Sequence, residues 1–295
     1  MELTGLTPLE GGWSGETFLA ESPSERSVVR IFAGPRHAPF AAEVNAALLQ
    51  LVRGLVPVPR VLEVRHARAG APALLITEYV VATRADLVLP ELDPSRLADA
   101  GERLGRIAGT LAGMPQTRAG RFVDAELRVA PFESEAADLP AWVETHAASL
   151  DWDAGTLDRL RTLALRAQDL LDGVGRTSLV HGDLNPKNVL LEPASLEVAA
   201  VLDWEFAHAG SPYADLGNLL RFDRRAAWVE GVLAGYLAVR GGERDATLDL
   251  ARAADLVALV ELAGRRAANP VAARAHDHLL TIAEAEDWHV VPCAP

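Results

Sequence analysis

The chain is 295 residues long, with 28 Lys and Arg against 41 Asp and Glu, a formal net charge of −13. That acidity excludes a basic nucleic-acid binder, and a content of 49% hydrophobic and 23% charged residues excludes a disordered or fibrous chain. A single cysteine, Cys293, rules out a disulfide framework within the chain and suits a reducing compartment.

Up to about residue 80 the pattern predicts an antiparallel sheet with one helix. Residues 16–20 and 27–32 are rich in Thr, Phe, Val and Ile and are joined through the turn-forming Ser22-Pro23-Ser24-Glu25, which reads as a hairpin. Residues 40–52 repeat Val44, Ala47, Leu48 and Leu51 at helical spacing until Gly54 and two prolines stop them. Residues 59–64 and 73–80 read as two more strands. From about residue 84 long helices take over. Leu97, Leu104, Ile107, Ala108 and Leu111 mark one apolar face; Leu157, Leu160, Leu163, Ala164, Leu170 and Leu171 mark another. Residues 189–191 and 198–202 flank Pro193-Ala194-Ser195 and predict a hairpin that interrupts the helices. Beyond Pro212 the pattern is helical, with breaks near Gly241-Gly242 and Asn269-Pro270. The longest uncharged stretch, 107–117, has 11 residues, well short of the roughly 20 that span a bilayer. With no basic region leading into an apolar run at the N-terminus, the expectation is a cytoplasmic protein with no membrane partner.

The chemistry concentrates in His181-Gly182-Asp183-Leu184-Asn185-Pro186-Lys187-Asn188 and, after the hairpin, Leu202-Asp203-Trp204-Glu205. Two carboxylates and an amide thus fall on two loops at one end of a hairpin. Phosphoryl transfer from a nucleotide needs a carboxylate to take the attacking hydroxyl's proton and oxygen ligands for magnesium. Lys187, the one lysine of the chain, is read as solvent-exposed, with a phosphate contact as the alternative. Glu205, two residues after Asp203, would share its side of a strand, where it touches a second magnesium, orients a ligand or is a surface charge. In 10–16, Gly11, Gly12 and Gly15 mark a tight turn; ahead of a strand and a candidate cation, Gly12 admits a close phosphate and Ser14 donates to it.

These motifs resemble the aminoglycoside phosphotransferase group of the protein-kinase-like superfamily. The H-G-D-x-x-x-x-N pattern runs from His181 to Asn188, the D-W-E carries the metal-binding aspartate, and Gly210-Ser211-Pro212-Tyr213-Ala214-Asp215-Leu216 is similar to the group's G-D-P-x-x-D-L stretch. The resemblance implies an α+β, bilobal fold: a nucleotide-binding lobe over 1–80 and a mainly helical catalytic and substrate lobe over 81–295. It implies Asp183 as catalytic base, Asn188 and Asp203 as magnesium ligands, His181 as a structural bridge, and Asp215 as a brace of the catalytic loop, for which a helix N-cap is the alternative. Arg30 stands where the group has a lysine, with Glu43 of the next helix as its expected ion-pair partner; a planar fork meets phosphate differently from an ammonium. The Glu78 carbonyl and Val80 N–H would meet the base of ATP or GTP.

The function implied is a small-molecule kinase acting on a hydroxyl of a cationic antibiotic, an aminoglycoside or a tuberactinomycin-type peptide, and giving resistance. A metabolic kinase resembling choline, homoserine or fructosamine kinases, or a catalytically silent nucleotide-binding protein, is the alternative. Asp255, Glu261, Glu284, Glu286 and Asp287 are candidate contacts for a cationic substrate, with Trp288 as a stacking surface. The remaining expectations are no nucleic-acid partner and a monomer or homodimer.

Overall fold

A computed structural model describes residues 5–9, 17–22, 25–34, 37–38, 40–132 and 138–292. In chain order the strands and helices are β1 (Gly5–Pro8), β2 (Thr17–Glu21), β3 (Arg26–Phe32), α1 (Ala41–Val52), β4 (Val61–Arg65), β5 (Ala73–Glu78), β6 (Thr83–Arg84), α2 (Ala85–Val88), α3 (Pro94–Ala112), β7 (Pro115–Gln116), β8 (Gly120–Phe122) and β9 (Val129–Ala130). There follow α4 (Leu139–Leu150), α5 (Ala154–Asp172), β10 (Thr177–Val180), β11 (Val189–Leu191), β12 (Val198–Val201), β13 (His208–Gly210), α6 (Ala214–Leu220), α7 (Ala226–Arg240), α8 (Arg244–Ala263) and α9 (Pro270–Ala285).

Where the sequence reading draws one cut after residue 80, contacts group the chain into two interleaved units. The first unites Met1–Glu91, Arg121–Ala130 and Asn185–Ala207; the second unites Leu92–Gly120, Pro131–Leu184 and His208–Pro295.

In the first unit, β1-β2-β3-β5-β4 form a five-stranded antiparallel sheet. Ser22 and Glu25 close the predicted hairpin, the Ser22 N–H donating to the Glu25 carbonyl at 2.9 Å. Helix α1 buries Val44, Leu48, Leu49 and Val52. It starts one residue later than the periodicity suggests, because Phe40 is held at a left-handed φ of 65° and serves as its N-cap. The predicted second hairpin is β11 against β12, with Val189 opposite Val201, and β6 adds a third strand, Leu190 opposite Arg84. The two-residue β6 carries no periodic signal, and its partner lies about a hundred residues ahead, so local pattern could not reveal it. Strands β8 and β9 pair through Arg121 with Ala130 and Phe122 with Val129.

The second unit is a helical bundle on a small sheet in which β10 lies between β7 and β13. Asp93, Asp153 and Asn269 cap α3, α5 and α9 through side-chain oxygens on backbone N–H groups; Pro94 and Pro270 take the first helical positions, where a missing N–H costs nothing. The predicted break at Asn269-Pro270 is therefore a helix start. Helices α3 and α7 cross almost backbone to backbone: a Cβ at Gly235 would enter the carbonyl oxygen of Glu102, and one at Gly105 that of Val232. A second core gathers Leu150, Leu160, Leu163, Leu256, Val260, Leu279 and Ile282. Trp288 belongs to this core at 6% exposure, so it is packing and not the stacking surface expected of it. Among the described residues no helix is long and apolar enough to cross a membrane.

Candidate active site

In the second unit, β10 delivers the chain into His181, which is fully buried. Gly182 follows at φ 82°, a conformation that suits glycine, and turns the chain so that the Asp183 N–H donates to His181 Nδ1 at 3.2 Å. That nitrogen is therefore the unprotonated one of the ring. Asp215, in the first turn of α6, accepts from the His181 N–H through Oδ2 at 2.8 Å and from the Gly182 N–H through Oδ1 at 3.0 Å. Both oxygens are thus committed to the loop bearing Asp183, which is the bracing role and not the N-cap; Tyr213 occupies the N-cap position. Burial pushes the Asp215 carboxyl up to about 6, the two N–H bonds pulling down against it and the charge of Asp183 adding to the rise.

In the first unit, Asn185 accepts from the Lys187 N–H at 3.0 Å and starts a 3-10 turn, Pro186–Asn188, that leaves Lys187 exposed. The Leu202 N–H donates to the Asn188 carbonyl at 2.8 Å, extending the β11–β12 ladder so that Asn188 and the residue before Asp203 are direct neighbours. Asp203 then takes a left-handed backbone, φ 63° and ψ 65°, a conformation aspartate tolerates better than most residues and one that marks functional loops. The 3-10 turn Trp204–Phe206 follows, anchored by buried Trp204, whose Nε1–H donates to the Val201 carbonyl at 3.1 Å.

Arg30, on β3, reaches this loop. Its two terminal nitrogens donate to Asp203 Oδ1 at 2.6 Å and to Glu205 Oε2 at 2.5 Å. The expected Arg30–Glu43 pair does not form. Glu43 is buried on α1, its Oε1 is taken by His66 Nδ1 at 2.5 Å, and its Oε2 is buried with no partner among the described residues. Glu205 also arrives by another route than the strand alternation expected, through the left-handed turn at Asp203. Glu78 ends β5 with Oε1 accepting from the Arg60 N–H at 2.9 Å, and Val80 lies two residues beyond. Gly12 and Ser14 lie outside the described residues.

Magnesium fits this donor set. The carboxylate of Asp203 and the amide oxygen of Asn188, whose backbone is bonded to Leu202, are hard oxygen donors of the kind magnesium takes, and the Arg30 guanidinium is a cation already held by Asp203 and Glu205. No cluster of three or more His, Cys, Asp or Glu side chains among the described residues could cage a metal, so water and phosphate would complete the shell, as magnesium favours.

Two of the acids considered for a cationic substrate are already committed. Asp255 is buried and forms a salt bridge with Arg221 at 2.7 Å, and Glu261 pairs with Arg265 one helical turn on. Glu284, Glu286 and Asp287 are exposed. Burial and the charges of Arg224, Arg274 and Arg252 push His278 down to about 3, so it is neutral at any physiological pH. His66 and Arg221 escaped the sequence reading, and only the spatial partner of each gives it meaning.

The family model described as "Phosphotransferase enzyme family" matches residues 5–278. Among the solved structures that share the fold are the following three. Choline kinase LicA from Streptococcus pneumoniae superposes with a TM-score of 0.64 at 14% identity, covering 97% of this chain and 95% of its own. The GDP complex of aminoglycoside 2'-phosphotransferase-IIIa gives 0.66 at 16%, covering 97% and 94%. A thermostable mutant of an aminoglycoside phosphotransferase in ternary complex with ADP and hygromycin B gives 0.63 at 17%, covering 96% and 94%. Among curated proteins, acyl-CoA dehydrogenase family member 11 from Rattus norvegicus is 36% identical over 84 residues, a stretch that covers 28% of this chain and only 10% of that protein.

Proposed function

The chain belongs to the phosphotransferase enzyme family, and from that premise we propose that it moves the γ-phosphoryl group of ATP or GTP to a hydroxyl of a cationic antibiotic, an aminoglycoside or a tuberactinomycin-type peptide. The observation that supports this most is the Asp215 clamp. Two bonds of 2.8 and 3.0 Å fix the backbone on the N-terminal side of Asp183, and a fixed carboxylate is what a general base requires. Asp183 accepts the hydroxyl proton as oxygen attacks phosphorus, and it also aims that oxygen. Asn188 and Asp203 are the residues that would hold Mg2+, which when bound offsets the charge of the phosphate oxygens. Arg30 meets the phosphates with a planar fork. The Glu78 carbonyl and Val80 N–H meet the base, and such backbone contacts serve adenine and guanine alike. In this reading the protein works in the cytoplasm as a monomer or homodimer.

The net charge of −13 and the exposed Glu284, Glu286 and Asp287 favour a polycation. The commitment of Asp255 and Glu261 to arginines favours a second acceptor class that needs fewer carboxylates, a singly charged or zwitterionic metabolic alcohol of the choline, homoserine or fructosamine kind. A coupled ADP-release assay over antibiotics and metabolic alcohols tests both. Turnover of an antibiotic, with raised tolerance in a sensitive bacterium expressing the chain, supports the first. Turnover of a metabolite alone selects the second, and no turnover with any alcohol refutes the kinase.

A further inference from the structure

We propose that Glu205, and not Glu43, is the residue that positions Arg30 for the nucleotide phosphates, an inference that rests on the kinase reading above. Arg30 is held on three sides. Asp203 Oδ1 and Glu205 Oε2 take its two terminal nitrogens at 2.6 and 2.5 Å, and the ring of Phe32, two residues along the same face of β3, lies 5.3 Å from the guanidinium carbon. Only 14% of the Arg30 side chain remains exposed. A long flexible side chain is thereby confined to one arrangement.

Helix α1 does not supply this anchor: Glu43 pairs with His66 through Oε1, while the terminal nitrogens of Arg30 lie on Asp203 and Glu205. The arginine makes the change of anchor workable. An ammonium is a point charge, whereas a guanidinium offers two N–H edges and can serve two carboxylates at once. An acid two residues after Asp203 is what the second edge meets. Arg30 is thus keyed to the loop that carries a metal ligand, and Glu205 acts on the phosphates through Arg30, as a positioning residue that touches neither phosphate nor metal.

The test is titration of the full chain with a fluorescent ATP analogue, once with excess Mg2+ and once in EDTA. The chains compared are wild type, Glu205→Gln, Glu43→Gln, Arg30→Gln and the Arg30→Gln/Glu205→Gln double variant. Glu205→Gln is expected to raise Kd about fivefold or more in both conditions, by more than Glu43→Gln does, and to add nothing in the Arg30→Gln background. An effect that vanishes in EDTA would make Glu205 a metal ligand and overturn the proposal. Independent, multiplying effects of the two substitutions would overturn it too, as would tighter binding in Glu205→Gln, the sign expected if the carboxylate only repelled phosphate. If Glu205→Gln melts early by circular dichroism, Glu205→Asp, too short to reach the guanidinium, is judged by the same criteria. A wild-type chain that binds no nucleotide in either condition would sink the kinase reading itself, a result distinct from all of these.

Discussion

Asp215→Asn separates what a buried carboxylate does for the loop from what it does to stability. The side chain is 4% exposed and its carboxyl is lifted from 3.8 to about 6, mainly by burial. At about 1.4 kcal/mol for each tenfold change in proton affinity, the ionised form costs the fold about 3 kcal/mol at pH 8. The sign follows from the direction: a carboxyl raised on folding stabilises fully below its unfolded value of 3.8, and that contribution is lost as pH rises through about 6. Asparagine removes this cost, yet it turns one oxygen into an NH2 facing a backbone N–H, leaving a buried donor unmet at about 1 to 3 kcal/mol. The two effects offset. In urea unfolding at pH 8 the variant is therefore expected to lie between equal in stability to wild type and about 2 kcal/mol above it. At pH 5 wild type recovers about half of its handicap and the balance moves toward it. Turnover tells the other half. A catalytic base displaced by about 1 Å loses on the order of 10²-fold in rate, so coupled ADP release should fall by that order while the fold holds. A stability difference unchanged between pH 5 and pH 8 would refute the raised carboxyl, and full turnover in the variant would refute the clamp.

Asp183→Ala should cut turnover by about 10² or more with nucleotide affinity little changed, as read by ADP release beside a nucleotide titration. Asp203→Ala should raise the Mg2+ concentration needed for half-maximal phosphoryl transfer and weaken transfer severely, which a metal titration reads. Gly235→Ala drives a methyl group into the Glu102 carbonyl where α3 meets α7 and should destabilise by about 3 kcal/mol or more, seen as a lower urea midpoint. For a cationic acceptor, KM should rise with ionic strength at nearly constant kcat, since exposed carboxylates are screened within about 10 Å at 0.1 M salt.

The parts of the site that could be read from sequence are those whose partners lie close along the chain or within a fixed motif. His181, Gly182 and Asp183 carry their geometry in three consecutive residues, and Asp215 could be recognised because the stretch from Gly210 to Leu216 accompanies them. The neighbouring elements followed from periodicity, as in α1 and the β11–β12 hairpin. Arg30 marks where this reasoning stops. Its sequence position suggested Glu43, on the helix that follows its strand, yet the guanidinium chose acids 173 and 175 residues further on. Glu43 pairs instead with His66, a residue with no pattern of its own. Trp288 and Asp255 failed for a related reason: an indole or a carboxylate on an amphipathic stretch looks the same whether it faces solvent or a core that other helices complete. Only the apposition of α8 and α9 with their neighbours, and the arrival of Arg221, decides between the two.

The interleaving of the two units also sets a timetable for synthesis. Ribosomes add about 5 to 20 residues per second, so Arg30 waits about 9 to 35 s before Asp203, 173 residues later, is made. During that interval the sheet of β1 to β5 is complete but its arginine has neither of its carboxylates, and β6 still lacks β11. The whole helical stretch from α3 to α5 is translated in the gap. The nascent first unit thus emerges as a fragment that closes only after much of the second has been made, and a ribosome stalled between residues 91 and 185 would present that fragment to the quality-control machinery with Arg30 lacking both of its carboxylates.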